Sequence, residues 1–216
     1  MYCGLNITAQ QQASFFQIQK ELADLDFKFT QLKKDSLYPI YYKDSAQFKK
    51  DTILFRKKYL DLYWVKYKIH HQNKTITFNK LTNLNFPDII FLNSQNINVA
   101  LSDFSNQSII LNFNYYYCLS CLAQIDSILL ITKTNKTKLI VILSTTIEDV
   151  IFLQEKYGER ILVGYMSQEF ENYYTFNCGT PSTFLIDKNR TISKFLFDKS
   201  TKGDSELLKQ ILIFNE

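Results

Sequence analysis

The chain has 216 residues, 46% of them hydrophobic and 21% charged, a globular balance that excludes wholesale disorder and predicts one large domain or one domain with an extension. Only 5 Gly and 3 Pro are present, which excludes collagen-like and low-complexity chains. The net charge of +4 arises from 25 basic and 21 acidic residues that are interspersed, so no polybasic face and no nucleic-acid footprint are expected.

No run of about 18 apolar residues occurs, so no transmembrane helix is expected. Met1-Tyr2-Cys3-Gly4 has neither a basic nor an apolar signal region, and the chain as written shows no export signal. Cys3 has two readings: a thiol in a frayed terminus, or the acylated Cys of a bacterial lipoprotein whose start lies further upstream. The polar segment from Ile7 to Gln12 suits the second.

Phe15, Ile18, Leu22, Leu25, Phe29 and Leu32 are spaced 3, 4, 3, 4 and 3, which predicts one long helix with a single apolar seam. The seam is short for a coiled coil, so packing onto its own chain is expected, with dimerisation as the other reading. Pro39 and the tyrosines around it end that helix. From Asp44 to Lys80 the pattern is undecided. Leu60, Leu62, Trp64, Lys66 and Lys68 would share one face of a strand, and Tyr63, Val65, Tyr67 and Ile69 the other, while a helix fits as well. Thr75 to Phe78 reads as a short strand after an Asn73-Lys74 turn. His70 and His71 read as surface residues rather than metal ligands.

Ile89 to Leu92 and Val99 to Leu101 flank a polar turn and predict a β-hairpin. Ser108 to Phe113 is nearly all apolar, as a buried central strand should be, and Leu139 to Leu143 is a second such run. Between them Leu122, Ile125, Ile128 and Leu129 stand at helical spacing, so the unit is βαβ with a right-handed crossover. Thr145 and Glu148 form an expected capping box for a helix that Gly158 ends. Ile161 to Val163 is a third strand, and Ser167 caps a short helix through Tyr174. Ser182 to Ile186 and Thr191 to Phe197 pair across an Asp187-to-Arg190 turn. Asp204 caps a last helix carrying Leu207, Leu208, Ile211 and Leu212.

The chemistry concentrates at Cys118 and Cys121, a CxxC where a buried strand ends and a helix begins. A helix N-terminus carries roughly half a positive charge and unpaired N–H groups, which favour a thiolate over a thiol. The first Cys stands at the open end and can attack; the second lies about a turn inside and can expel a mixed disulfide. That order suits dithiol–disulfide exchange. A four-Cys zinc site would need a second pair, which Cys3 and Cys178 do not make, and c-type haem attachment would need a His where Leu122 stands. Pro181, preceded by Gly179-Thr180, predicts a rigid turn into a buried strand; the base rate of about 5–6% favours a trans bond on local sequence alone.

These pieces together resemble the thioredoxin superfamily, specifically thiol–disulfide oxidoreductases of the TlpA/ResA type. The match covers residues 86–216 and is carried by Phe86-Pro87-Asp88, Ala100 to Phe104, Ile110 to Phe113, the CxxC, and Gly179 to Asp187. The resemblance implies an α/β thioredoxin-like fold, a mixed central sheet flanked by helices, behind a mainly helical N-terminal extension over residues 1–85. It implies Cys118 and Cys121 as the catalytic pair, a cis Pro181 facing them, and a substrate segment bound along Thr180, Pro181 and Tyr117. The implied partners are protein thiols or disulfides and an upstream thiol electron donor, with no cofactor and no metal. A bacterial periplasm or a membrane-anchored lipoprotein, held through lipidated Cys3, is the implied location.

The departures are specific. Tyr117 stands where the family usually has Trp, Leu119-Ser120 and Asp126 stand where Pro is frequent, and Asn112 replaces thioredoxin's buried acid. Cys178 reads as a small buried residue or a third redox thiol. A Sco-type copper chaperone would need CxxxC and a later His, and a peroxiredoxin would need Pro and Thr before its Cys; the chain offers neither. With no strong donor between the cysteines, the expected role is reductant or isomerase, with a potential on the order of −180 to −270 mV. The other reading is a non-catalytic binding or scaffold protein that keeps the fold.

Overall fold

The computed structural model describes residues 9–33, 52–132, 137–175, 181–197 and 201–214. Cys3, Pro39, Cys178, Gly179 and Thr180 therefore lie outside the described residues, as do the side chains of Phe15, His71, Ser120 and Leu207. The chain divides into two compact units, Phe16–Lys80 and Leu81–Glu216, the second joined by the residues before Phe16. No described helix is long and apolar enough to cross a membrane.

The smaller unit is built from α1 (Ala9–Leu32), from Phe16 onward, and α2 (Thr52–Asn79). The seam of α1 buries Ile18 and Leu22. Within the undecided stretch Thr52–Asn79 is helical, and the strand expected at Thr75 to Phe78 lies within α2. The reason is physical. The face that α2 turns inward carries Tyr63, Lys66, His70, Lys74, Thr77 and Phe78, at helical spacing but mostly polar, so it leaves no apolar period to read.

α1 partners part of that polar face. Lys74 Nζ donates to both Asp26 oxygens at 3.1 and 3.0 Å, and His70 Nε2 lies 2.9 Å from Asp26 Oδ1. Lys80 pairs with Glu21, and Phe29 stacks on His70 at 4.4 Å between ring centroids. Contacts that run 21 to 80, 26 to 74 and 29 to 67 fix the two helices antiparallel. His70 is thus a partnered residue of the helix pair, which corrects its reading as a surface residue.

The larger unit is a seven-stranded sheet in the order β2-β1-β5-β4-β3-β6-β7. Its strands are β1 (Ile90–Asn93), β2 (Asn98–Ala100), β3 (Ser108–Asn114), β4 (Thr137–Leu143), β5 (Leu162–Tyr165), β6 (Ser182–Ile186) and β7 (Ile192–Leu196). β3, β4 and β5 are parallel, as their crossover helices require; the β1–β2 and β6–β7 hairpins are antiparallel, as are the pairings of β1 with β5 and of β3 with β6. The helices are α3 (Leu119–Ile131), α4 (Ile147–Tyr157), α5 (Gln168–Tyr174) and α6 (Thr201–Phe214). This is the βαβαβαββα order read from Ser108 onward.

One core joins Ile110, Val141, Val163 and Leu185 of the sheet to Ile125, Ile128 and Leu129 of α3, Val150 and Leu153 of α4, and Ile211 of α6. On the other face Phe184 packs edge-on against Phe86 and Phe113, and Tyr174 of α5 lies 6.2 Å from Phe86. Burial of large side chains on both faces explains why β3 and β4 read as continuous apolar runs.

Some helix ends differ from the expected ones. The cap of α4 is Thr146, whose hydroxyl accepts from Asp149 N at 3.2 Å, one residue beyond the Thr145–Glu148 pair. Asp149 is buried as a result, and Glu148 is exposed. Ser167 precedes α5 without a side-chain cap bond. α6 starts at Thr201, so Asp204 lies inside it, and Leu212 is exposed. Gly158 ends α4 with φ of +60°, a conformation that suits glycine.

Gly164 in β5 has a different reason. A Cβ there would stand 2.9 Å from Cε2 of the buried Phe91 ring and nearer still to Cδ2. Gly164→Ala should lower the unfolding free energy by about 1–3 kcal/mol, as overpacking does. A urea midpoint equal to the parent's would contradict this packing; recovery on adding Phe91→Leu would support it.

Candidate active site

β3 delivers the chain to the centre of the sheet and ends at Asn114. A turn follows, closed by Cys118 N donating to Tyr115 O at 3.1 Å, and α3 begins. Cys118 is the N-cap, extended at φ −101° and ψ 102°. Its Sγ accepts the backbone N–H of Cys121 at 3.2 Å, so a first-turn donor of α3 points at the sulfur. Cys118 and Cys121 are joined as a disulfide with their Cα atoms 5.1 Å apart. Cys121 is fully buried, whereas Cys118 keeps part of its surface exposed. The pair is thus asymmetric, one sulfur within reach of a partner and one behind it.

Beneath the pair lies a buried amide network. Asn112 donates from Nδ2 to Gln124 Oε1 at 3.1 Å and to Thr183 Oγ1 at 2.8 Å. Asn114 donates from Nδ2 to Asn112 Oδ1 at 2.7 Å and to the Cys121 carbonyl at 3.1 Å. Its Oδ1 accepts Tyr115 N–H at 2.8 Å. Asn112, Asn114 and Thr183 are almost wholly buried, which is tolerable only because their polar atoms are bonded.

Tyr117 is 67% exposed and stands directly before the cysteine pair. Its hydroxyl lies 3.4 Å from Asp149 Oδ1 of α4, while Asp149 Oδ2 is buried with no hydrogen-bond partner among the described residues. The negative charge of Asp149 is the main cause that holds the Tyr117 hydroxyl above the ordinary tyrosine range, followed by desolvation and the hydrogen bond. Pro181 is buried just before β6, where Phe113 pairs with Ser182. Extending that antiparallel register by one residue sets Pro181 opposite Asn114, at the end of the sheet that carries the CxxC turn. Thr180 lies outside the described residues, and so does the geometry of its bond to Pro181.

The structure therefore brings Cys118, Cys121, Tyr117 and Pro181 to one end of the sheet. Sequence reasoning missed Asn114, Gln124, Thr183 and Asp149. Asn114 carried a faint signal, a polar residue at the end of an apolar run. Asp149 was hidden by the one-residue error in the helix cap. Among the described residues no cluster of three or more His, Cys, Asp or Glu could hold a metal ion.

No protein-family model matches the chain, and no curated protein does. Solved structures do. The chain is similar to a Chlorobium tepidum protein described as a thiol:disulfide interchange protein DsbE, with a TM-score of 0.53 and 17% identity over 62% of this chain and 98% of that one. A secreted Mycobacterium tuberculosis disulfide oxidoreductase matches at a TM-score of 0.49 and 12% identity, over 58% of this chain and 95% of its own. A secreted thiol-disulfide isomerase from Corynebacterium glutamicum matches at 0.47 and 20%, over 60% and 85%. With the strand order and the crossover helices, the first of these shows a thioredoxin-like fold. A mainly helical N-terminal region accompanies it.

Asp149→Asn removes the charge that disfavours tyrosinate. The Tyr117 hydroxyl should then ionise at lower pH than in the parent. A pH titration of the Tyr117 ring carbon resonance, assigned with Tyr117→Phe, measures this directly. Equal midpoints in parent and variant would refute the electrostatic contact.

Proposed function

We propose that this protein is a thiol–disulfide oxidoreductase, with Cys118 as attacking sulfur and Cys121 as resolving sulfur. The observation that carries the reading is the asymmetric pair at the start of α3, with the Cys121 N–H directed at Cys118 Sγ. A first-turn N–H stabilises negative charge on the sulfur that has to attack and, later, to leave. The similarity to a protein described as a thiol:disulfide interchange protein supports the same reading.

In the reducing direction the Cys118 thiolate attacks one sulfur of a substrate disulfide. That S–S bond breaks, its second sulfur leaves as a thiolate and takes a proton, and a Cys118–substrate disulfide forms. Cys121, deprotonated, then attacks Cys118 Sγ. The mixed disulfide breaks, the substrate's remaining sulfur leaves and is protonated, and the Cys118–Cys121 bond closes. The substrate gains two electrons and the dithiol loses two. An upstream dithiol donor restores the pair by the reverse sequence. No metal or cofactor enters.

The substrates are protein disulfides or thiols presented on an extended segment. Thr180 and Pro181, which precede β6 in the sequence, would pair with that segment as an added strand, and the exposed Tyr117 would flank its sulfur. A bacterial envelope location follows the TlpA/ResA resemblance, and the position of Cys3 before the polar Ile7-to-Gln12 segment makes it the point of lipid attachment if the gene's start lies further upstream. Metabolic labelling with a palmitate analogue, in a host that processes the full gene, should label the protein at Cys3; unlabelled protein would remove the anchor.

The two cysteines should separate cleanly by mutation. Cys121→Ser should accumulate a mixed disulfide with substrate, because nothing resolves it, and Cys118→Ser should accumulate none. Both should lose insulin-disulfide reduction. Full activity in both single variants would mean that the dithiol is not the active site.

A further inference from the structure

We propose that Asn114 is a positioning residue for the dithiol, clamping the CxxC loop at both ends; this rests on the exchange reading above. The observation is that one buried side chain reaches both flanks of the loop. Asn114 Oδ1 accepts the N–H of Tyr115, where the loop leaves β3, at 2.8 Å. Asn114 Nδ2 donates to the carbonyl of Cys121, where the loop has entered α3, at 3.1 Å. The remaining Nδ2 hydrogen goes to Asn112 Oδ1 at 2.7 Å. Asn112 is itself held by Gln124 of α3 and Thr183 of β6. The clamp is thus braced from a helix and from the neighbouring strand, and both hydrogens of each amide are committed.

A buried amide that only filled space would affect stability alone. This one ties the backbone of the resolving cysteine to the strand from which the attacking cysteine is launched. Closing the disulfide requires Cys121 Sγ to meet Cys118 Sγ while the sulfur of the partner departs and is protonated. The tendency to close depends on how much freedom the reduced loop must surrender, that is, on the effective concentration of one thiol at the other. Asn114 removes that freedom in advance because none of its bonds involves a sulfur atom. They can persist in both redox states. Without the clamp, closure should be less favourable and the mixed disulfide longer lived.

The test equilibrates the full chain with reduced and oxidised glutathione, quenches with acid, alkylates, and counts three species by mass. These are the dithiol, the Cys118–Cys121 disulfide and the Cys118–glutathione mixed disulfide. In Asn114→Ala, and in Asn114→Asp, which keeps an acceptor for Tyr115 but loses both donations, the equilibrium constant for closure should fall about tenfold. That shift is about 30 mV toward a more oxidising potential. The mixed-disulfide share should rise. Folded variants with the parent's constant would overturn the proposal. Should both variants fail to fold, amide exchange of the reduced parent decides: a protected Tyr115 N–H supports the clamp, and one exchanging at an open-chain rate overturns it. A parent that closes no disulfide in any glutathione buffer would instead overturn the exchange reading, and the Tyr115 amide would still decide the clamp.

Discussion

Two amide side chains sit at the buried end of β3, and the end of the sheet that carries the CxxC depends on their being hydrogen-bonded. An amide buried without partners costs about 1–3 kcal/mol, and each bond made returns about 1 kcal/mol net. Asn112 and Asn114 avoid the penalty by bonding to each other, to α3, to β6 and to the backbone of the loop. Those bonds tie the strand that carries the loop to the helix that begins at Cys118. The parallel neighbour β4 and the antiparallel neighbour β6 hold β3 on either side, so the dithiol rests on the best-buttressed strand of the sheet.

The same arrangement removes charge from beneath the pair. Where the resemblance to thioredoxin would place a buried acid, Asn112 offers a neutral amide. The buried carboxylate near the site is Asp149, on the far side of Tyr117 and on a different helix. The N-terminus of α3 acts on Cys118 through the Cys121 N–H.

Much of this was legible in the sequence wherever burial left an apolar signature. Ser108 to Phe113 and Leu139 to Leu143 are buried on both faces and read as strands at once. The CxxC announced itself by its place between strand and helix. The α2 segment was not legible, because its less exposed positions include Lys66, His70, Lys74 and Thr77, and Asp26 of α1 holds His70 and Lys74 by polar contacts rather than by an apolar seam. The cap of α4 was misplaced by one residue because Thr145 and Thr146 are chemically equivalent in sequence and only the fold selects between them. Asn114 was overlooked for a related reason: a lone amide shows in sequence that it is polar, but not what it holds.

The central claim is that Cys118 and Cys121 form a redox couple suited to reducing or isomerising protein disulfides. Its most direct measurement is the equilibrium of the unmodified protein against glutathione buffers, read as the fraction of Cys118–Cys121 disulfide. The account predicts a fully reversible two-electron couple with a potential on the order of −180 to −270 mV. A value near about −120 mV would contradict it, because such a potential requires far stronger stabilisation of the reduced sulfur than the start of α3 and its neutral amides provide.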